Sequence, residues 1–178
     1  MSKLNLLFDQ LKTFDRPPVD CWHPEKTVEF DLQITANGEW IHEGKIISRH
    51  RLVKLFSTVL VLRGDRFYLV TPQVKYHIQV DEAPFMAVEL RIQGNGSNQD
   101  IYFRTNMDEV VKADAKHPFT MDTDPENGQP RPYIEIRNGL CAKLTRSVYY
   151  ELAELSMQSN RINGELGVIS GGVFFKMA

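Results

Sequence analysis

The stretch Gly38–Phe56, GEWIHEGKIISRHRLVKLF, joins an extended, glycine-punctuated run to an amphipathic helix. Ser48 is placed to cap this helix, because a serine hydroxyl accepts hydrogen bonds from the free amides of a first helical turn. The apolar residues that follow recur at helical spacing, and we expect them to form one buried stripe: Leu52, Leu55, Phe56, Val59 and Leu60. This stripe predicts a helix that packs on the strands preceding it.

Two tight turns divide the extended part of this stretch into strands. Asn37-Gly38 is a typical two-residue hairpin loop, and with that loop Ile34 lies opposite Ile41. A second turn at Glu43-Gly44 pairs Ile41 with Ile46. We therefore expect the isoleucines to face the core, while two other side chains of this strand point to the opposite face: Trp40 and His42.

Further strands are predicted where apolar residues alternate with polar ones, at residues 67–71, 74–80, 86–93 and 100–105. Turn residues between several of them indicate an antiparallel meander. Residues 115–132 contain four prolines and an acidic tip, which predicts a long loop. At the N-terminus, helical spacing predicts a short amphipathic helix that docks on the core or on a partner: Leu4, Leu7, Phe8 and Leu11.

The opening unit recurs about a hundred residues downstream, as a strand, an Asn138-Gly139 turn, a second strand, Thr145 and a helix through Met157. This recurrence predicts an α+β fold with two small related halves, each a mostly antiparallel sheet with one packed helix. The halves are residues 1–83, with the leading helix, and residues 84–178, with the long loop 115–132. Two unrelated strand-helix units are the alternative interpretation.

Composition excludes several classes of partner. The formal net charge of -2 and a pI of about 6.2 provide no basic footprint for nucleic acid. No apolar run approaches the length of a membrane span. The two cysteines, Cys21 and Cys141, are too few for a disulfide framework, so we expect reduced thiols and a cytoplasmic protein. The sequence leaves the oligomeric state open.

No stretch carries the spacing of a metal, cofactor or nucleophile motif. His42-Glu43 has no second histidine four residues on, as a zinc-protease helix requires. Asp122, Asp124 and Glu126 alternate as in a calcium loop, yet the glycine and the final glutamate of that loop are missing. We therefore predict no metal and no cofactor.

Several blocks of the chain resemble one bacterial family, catalogued as domain of unknown function 1285. The similar blocks occur in order and cover nearly the whole chain after the first helix: WIHEGKII with RLVKLF, LVTP, VDEAPF at Val80–Phe85, RPYIEIRNGL and RSVYYEL. The resemblance implies a small two-part α+β fold with repeated units, a proteobacterial source and a link to signal transduction. It implies no activity, since none is established for the family.

These observations favour a non-enzymatic module that binds a small molecule or a protein partner in a groove between its halves. The candidate binding residues are polar or aromatic side chains of the two recurring units: Trp40, His42, Arg49, Glu135, Arg137 and Arg146. A hydrolase that uses His42 and Glu135 is the first alternative. A structural adaptor that dimerises through the first helix or a sheet edge is the second.

Overall fold

The computed structural model describes residues 11, 17–159 and 162–177. The chain divides into two compact units, Met1–Glu82 and Ala83–Ala178. Strands hold more of the described residues than helices do, as the frequent alternation of apolar and polar residues favours. Within the described ranges no helix is both long and apolar enough to cross a membrane.

The N-terminal unit is a six-stranded sheet with one α-helix. After a 3₁₀ turn at Val19–Cys21, its elements are β1 (Lys26–Ile34), β2 (Trp40–His42), β3 (Lys45–Ile46), α1 (His50–Thr58), β4 (Leu60–Arg63), β5 (Arg66–Val70) and β6 (Val74–Val80). The strand order is β3-β2-β1-β6-β5-β4. The central strands β1 and β6 are parallel, and the remaining neighbours are antiparallel.

The C-terminal unit has a second six-stranded sheet and a separate hairpin. Its elements are β7 (Phe85–Gln93), a 3₁₀ turn at Gly96–Asn98, β8 (Asp100–Thr105), β9 (Val110–Lys112), β10 (Phe119–Thr123), β11 (Pro130–Arg137), β12 (Leu140–Leu144), α2 (Arg146–Gln158), β13 (Gly167–Ser170) and β14 (Val173–Lys176). The main sheet has the order β10-β11-β12-β7-β8-β9, and β13 pairs only with β14.

The two large sheets share one topology. In each, three strands run outward from the centre to one edge, and the next three return from the other edge to the centre. The returning strand, β6 or β12, then pairs in parallel with the first strand of its unit. The strands that correspond are therefore β1 to β6 and β7 to β12, in order.

The predicted α+β fold, with a repeated strand-turn-strand-helix unit in each half, is wrong. The structure is mostly β, with two six-stranded sheets and two α-helices in its described part. Helix α1 follows the edge strand β3, whereas α2 follows the central strand β12. The hairpin after α1 joins the main sheet, but the hairpin after α2 forms a sheet of its own. Similar local patterns thus occupy different places, because long-range pairing decides where a strand lies.

The predicted register of the first hairpin is wrong by one residue. The amide of Thr35 donates to the carbonyl of Glu39 at 2.9 Å, and that of Gly38 donates to Thr35, so the loop has three residues instead of two. Gly38 takes a φ of 79°, which glycine adopts without steric cost. Ile34 consequently pairs with Trp40, which joins the core at 2% exposure. A one-residue slip exchanges the faces of a strand.

The second tight turn forms as predicted. Ile41 pairs with Ile46, and the turn residues Glu43 and Gly44 have φ values of 49° and 72°. Because the first register is shifted, these isoleucines lie on the face away from the core, and Ile46 is 59% exposed. The inner face is instead formed by apolar residues of β1, β2, β5 and β6: Phe30, Leu32, Ile34, Trp40, Leu69 and Ile78.

Helix α1 is shorter than its apolar stripe predicts. Its N-cap residue is Arg49 instead of Ser48, and no side chain caps it. The buried residues of the helix are Leu52, Val53, Phe56 and Ser57. Val59 and Leu60 are also buried, but they lie in the helix end and in β4. The stripe therefore runs over two elements.

Two further predictions concern the long loop and the N-terminal helix. The predicted loop 115–132 is wrong, because it contains β10 and the start of β11, joined by a turn in which Asp124 accepts from the amide of Glu126 at 2.8 Å. Proline is tolerated at strand starts and edges, so the prolines here did not exclude a hairpin. The predicted N-terminal helix lies outside the described residues except for Leu11, which is fully buried.

Candidate functional site

The N-terminal sheet presents a polar face, formed by the outward residues of β1, β5 and β6. Side chains alternate between the two faces of the sheet along each strand, so the residues that stand between the buried ones point outward. The register places Glu29 beside His77 and Gln33 beside Gln79, while Tyr68 lies opposite His77. Arg66 and Gln79 lie one position beyond the last pair of β5 and β6 and share this face. We call these outward residues the polar face.

His77 contacts two other side chains of the polar face. Its Nδ1 lies 2.7 Å from Oε2 of Glu29, and its ring centroid lies 5.5 Å from that of Tyr68. Because an ionised carboxylate only accepts hydrogen bonds, Nδ1 carries the hydrogen and Nε2 is left for another partner. The ammonium of Lys75 stands 5.5 Å above the Tyr68 ring. The imidazole is thus held from two sides.

An open concavity of about 340 Å³ lies over the start of β5 and the end of β6. Its lining residues are Asp65, Arg66, Phe67, His77, Ile78, Gln79, Val80 and Asp81. Oδ1 of Asp81 accepts a hydrogen bond from Nε2 of Gln33 at 2.7 Å, which orients that carboxylate. The side chains of Asp65 and Arg66 have no hydrogen-bond or ion-pair partner within the described chain. Charges of both signs are therefore available in one concavity.

Trp40 and His42 point into the core side of the N-terminal sheet. His42 stacks on Phe30 with ring centroids 5.1 Å apart, and its Nδ1 donates to the carbonyl of Asp31 at 2.6 Å. Nε1 of Trp40 and Nε2 of His42 are buried without a hydrogen-bond partner in the described chain. Oε1 of Glu43 lies 3.9 Å from Nε2 of His42. Their packing role is clear, and their binding role stays a prediction.

Glu135 and Arg137 have structural contacts in the C-terminal unit. Glu135 accepts from the amide of Gly139 at 3.0 Å and so stabilises the turn between β11 and β12. Arg137 donates to Glu109, and its guanidinium carbon lies 5.3 Å above the ring of buried Phe85. These two contacts tie the end of β11 to the start of β7 and to the turn between β8 and β9.

The charge of Glu135 also acts on a thiol. Burial and that carboxylate together raise the pKa of Cys141, which lies opposite Glu135 in the ladder. A raised pKa lowers the thiolate fraction, and the thiolate is the reactive form. At neutral pH a smaller fraction of Cys141 is therefore thiolate than for an ordinary cysteine.

Arg49 and Arg146 are exposed residues at the starts of the two helices. A cation is unfavourable at this end of a helix, where the dipole is positive. No acidic residue lies in the first turn of either helix. A binding role for both arginines stays a prediction.

The hydrolase hypothesis joins residues of different units, since His42 belongs to the N-terminal unit and Glu135 to the C-terminal unit. Their association stays a prediction. Within residues 17–159 and 162–177, no three histidine, cysteine or carboxylate side chains are close enough together to hold a metal ion.

An ion-pair network lies on the outer face of β7 and β8. Glu89 contacts Arg91 at 2.6 Å and Arg104 at 2.7 Å, and Arg104 contacts Asp108 at 3.2 Å. The hydrogen bond from Arg104 lowers the pKa of Glu89, and the hydrogen bond from Arg91 lowers it further by a smaller effect. The charges of this network are already paired with one another, which distinguishes it from the concavity of the N-terminal unit.

Sequence reasoning missed the residues of the concavity. The alternation in β6 predicted one apolar face of this strand. The polar residues of its other face include His77 and Gln79. The contact with Glu29 depends on the parallel pairing of β1 and β6, which are separated by four strands and a helix along the chain. No local pattern carries that information.

Comparison with known families and structures gives one consistent result. Residues 17–83 match the model described as domain of unknown function (DUF1285), N-terminal domain. Residues 84–177 match that described as protein of unknown function (DUF1285), C-terminal domain. A comparison with curated proteins finds no match.

Two solved structures are similar to the chain. The crystal structure of a DUF1285 family protein from Silicibacter pomeroyi DSS-3 is 35% identical, with a TM-score of 0.92 over 99% of this chain and 95% of that chain. The DUF1285 family protein from Shewanella baltica OS155 is 26% identical, with a TM-score of 0.56 over 70% of this chain and 91% of that chain. The resemblance found in the sequence motifs is confirmed, and the chain belongs to the DUF1285 family.

Proposed function

We propose that this DUF1285 protein is a non-enzymatic binding module whose N-terminal unit takes a small polar ligand in the concavity over β5 and β6. The observation that carries the proposal is the lining of this concavity. Arg66 and Asp65 lack partners within the described chain, and they share the concavity with His77 and Asp81. A volume of about 340 Å³ fits a small metabolite, since ligand pockets span roughly 300–1,000 Å³.

Two side chains of the lining are held by hydrogen bonds within the protein. Glu29 holds His77 by its Nδ1, and Gln33 holds Asp81 by one carboxylate oxygen. Side chains that are already fixed lose less conformational entropy on binding, at about 0.5–1.5 kcal/mol for each side chain that would otherwise be immobilised. The free atoms, Nε2 of His77 and the second oxygen of Asp81, are then available to a ligand.

The exposure of these groups supports binding over catalysis. The side chain of Glu29 is 79% exposed, and Arg66, Gln79 and Asp81 are exposed as well. Catalytic hydrogen bonds and charges gain most of their effect in water-excluded sites, where the dielectric constant is low. An open, solvated concavity binds a polar molecule but does not give catalytic groups the stronger electrostatic effect of a water-excluded site. In this proposal the protein is a cytoplasmic sensory or regulatory accessory, and a bound metabolite is its signal.

A thermal-shift screen of amino acids, sugars, nucleotides and organic acids tests the proposal. Ligand binding raises the unfolding temperature, because only the folded state binds. Each hit is then titrated calorimetrically against Arg66→Gln and His77→Ala. The matched controls are Arg51→Gln and His23→Ala, which change exposed residues outside the concavity.

We expect both concavity variants to weaken binding at least about tenfold, the effect of losing about 1.4 kcal/mol, and both controls to bind as the wild type does. After overnight incubation with the protein, NMR spectra should show the ligand chemically unchanged. A hit that His77→Ala binds with wild-type affinity would contradict the assigned site. Turnover of a hit would contradict the non-enzymatic role.

A further inference from the structure

We infer that the ligand is a small zwitterion with one ammonium and one carboxylate group, such as a free amino acid. This inference rests on the proposed function and names the ligand class of the same concavity. It follows from the signs of the lining charges and from the atoms that the protein leaves available.

Arg66 is the group that meets a carboxylate. Its guanidinium presents a planar fork of donors that matches both oxygens of a carboxylate. It forms no ion pair with Asp65 or Asp81, although all three line the same concavity, and it has no other partner within the described chain. The face that Arg66 occupies is shared with Gln79, whose amide adds further hydrogen-bonding capacity beside it.

Asp81 and Asp65 are the groups that meet an ammonium. One oxygen of Asp81 is used by Gln33 at 2.7 Å, so the carboxylate is held in place while its other oxygen accepts from the ligand. An ammonium has three donors and no acceptor, and a carboxylate only accepts. Nε2 of His77, left free by the contact of Nδ1 with Glu29, adds a third acceptor when the imidazole is neutral.

Other ligand classes match this lining less well. A nucleotide or another phosphate needs several cations or backbone amides around one anion, whereas two carboxylates here accompany a single arginine. An apolar ligand would leave the exposed charges without partners. A zwitterion satisfies both signs at once. Its size also agrees with a volume of about 340 Å³, near the lower end of the range for ligand pockets.

Calorimetric titration of the whole chain with the twenty free amino acids tests the inference. Any amino acid that binds is compared with two analogues, one that lacks its carboxylate and one that lacks its ammonium. For L-serine these are ethanolamine and 3-hydroxypropionate, with glycerol as the uncharged reference. The variants are Arg66→Gln and Asp81→Asn, with Arg51→Gln and Asp122→Asn as controls for the same changes of charge.

We expect at least one amino acid to bind, each analogue to bind at least about tenfold more weakly, and each of the two concavity variants to lose about tenfold or more in affinity. Arg66→Gln should remove most of the preference over the analogue without the carboxylate, and Asp81→Asn most of the preference over the analogue without the ammonium. The controls should bind as the wild type does.

Three outcomes would overturn the inference. If no amino acid binds while a sugar or nucleotide binds and is lost in His77→Ala, the ligand class is wrong but the proposed function stands. If a singly charged analogue binds as tightly as its amino acid, the same conclusion follows. If no compound of any class shows binding that depends on Arg66 or His77, both the inference and the proposed function fail.

Discussion

Replacing Arg137 tests whether this residue has the structural role that its contacts indicate. Arg137 donates to Glu109 and covers the ring of Phe85, and its side chain is only 27% exposed. Arg137→Met keeps the apolar stem and removes the guanidinium. We therefore expect the C-terminal unit to lose stability while the N-terminal unit keeps its own.

The expected loss follows from the two contacts. A hydrogen bond to a charged group contributes about 1.5–3 kcal/mol, and a cation above an aromatic ring contributes about 0.5–1 kcal/mol at exposed sites and more when desolvated. The Glu109 side chain is 34% exposed, so water partly replaces its lost partner. We expect Arg137→Met to lower the free energy of unfolding by about 2 kcal/mol.

Urea unfolding followed by far-UV circular dichroism measures this loss, and tryptophan fluorescence in the same titration reports whether the N-terminal unit keeps its stability. Both tryptophans, Trp22 and Trp40, belong to the N-terminal unit, so fluorescence follows that unit alone. Arg146→Met is the control, since it removes an exposed arginine and should cost less than about 0.5 kcal/mol. A double-mutant cycle with Glu109→Gln should give a coupling energy of about 1 kcal/mol. A loss below about 0.5 kcal/mol for Arg137→Met would refute the structural role.

Three more predictions follow from buried and charged residues. Trp40→Ala should lower the free energy of unfolding by about 3–5 kcal/mol, whereas Ile46→Ala should change it by less than about 0.5 kcal/mol; equal effects in urea unfolding would contradict the observed register. Cys141, with its raised pKa, should react with iodoacetamide more slowly than exposed Cys21 at pH 7.5, as single-cysteine variants would show by mass spectrometry, and equal rates would contradict this. Because the pKa of Glu89 is lowered in the folded state, its stabilising contribution is present above its unfolded pKa of about 4.5 and is lost as the pH falls through the folded value. Glu89→Gln should flatten the stability profile in that acidic range, and an unchanged profile would count against the network.

Local features of the fold were predictable because their cause lies in adjacent residues. The strands β6 and β8 form at the predicted residues, since alternation directly reflects one buried face. The turns at Glu43-Gly44 and Asn138-Gly139 also form, with positive φ values that Asn, Gly and a few other residues adopt readily. The helix after Thr145 begins at Arg146 as expected.

The first hairpin shows where local reasoning fails. Asn37-Gly38 suits a two-residue loop, but a three-residue loop with Gly38 at positive φ is also common. The choice between them depends on the core, because only the longer loop brings Trp40 to the buried face beside Ile34. The turn sequence alone therefore does not show which of the two loops has the lower free energy in the folded protein.

Long-range pairing explains the larger errors. The parallel pairs of β1 with β6 and of β7 with β12 define both sheets, and each joins the first and the last strand of its six-stranded sheet along the chain. The sequence recurrence aligned the first strands of one unit with the last strands of the other. It therefore missed the shared topology, in which the equivalent strands follow the same order in both units.

The same limit applies to the candidate site. Trp40 and His42 are predicted to lie on the face away from the core, but the observed register places both on the core side, where Trp40 is buried and His42 stacks on Phe30. The concavity residues looked like ordinary polar positions of a strand and a turn. What distinguishes His77 and Asp81 is their contact with Glu29 and Gln33 of β1, far away along the chain.

Chemical-shift mapping of the ¹⁵N-labelled protein with the strongest hit of the metabolite screen tests the central claim most directly. We expect the largest shifts to fall on residues 65–67 and 77–81, which line the concavity, and to disappear in His77→Ala. Saturating shifts confined to other residues, or shifts that persist unchanged in His77→Ala, would contradict it.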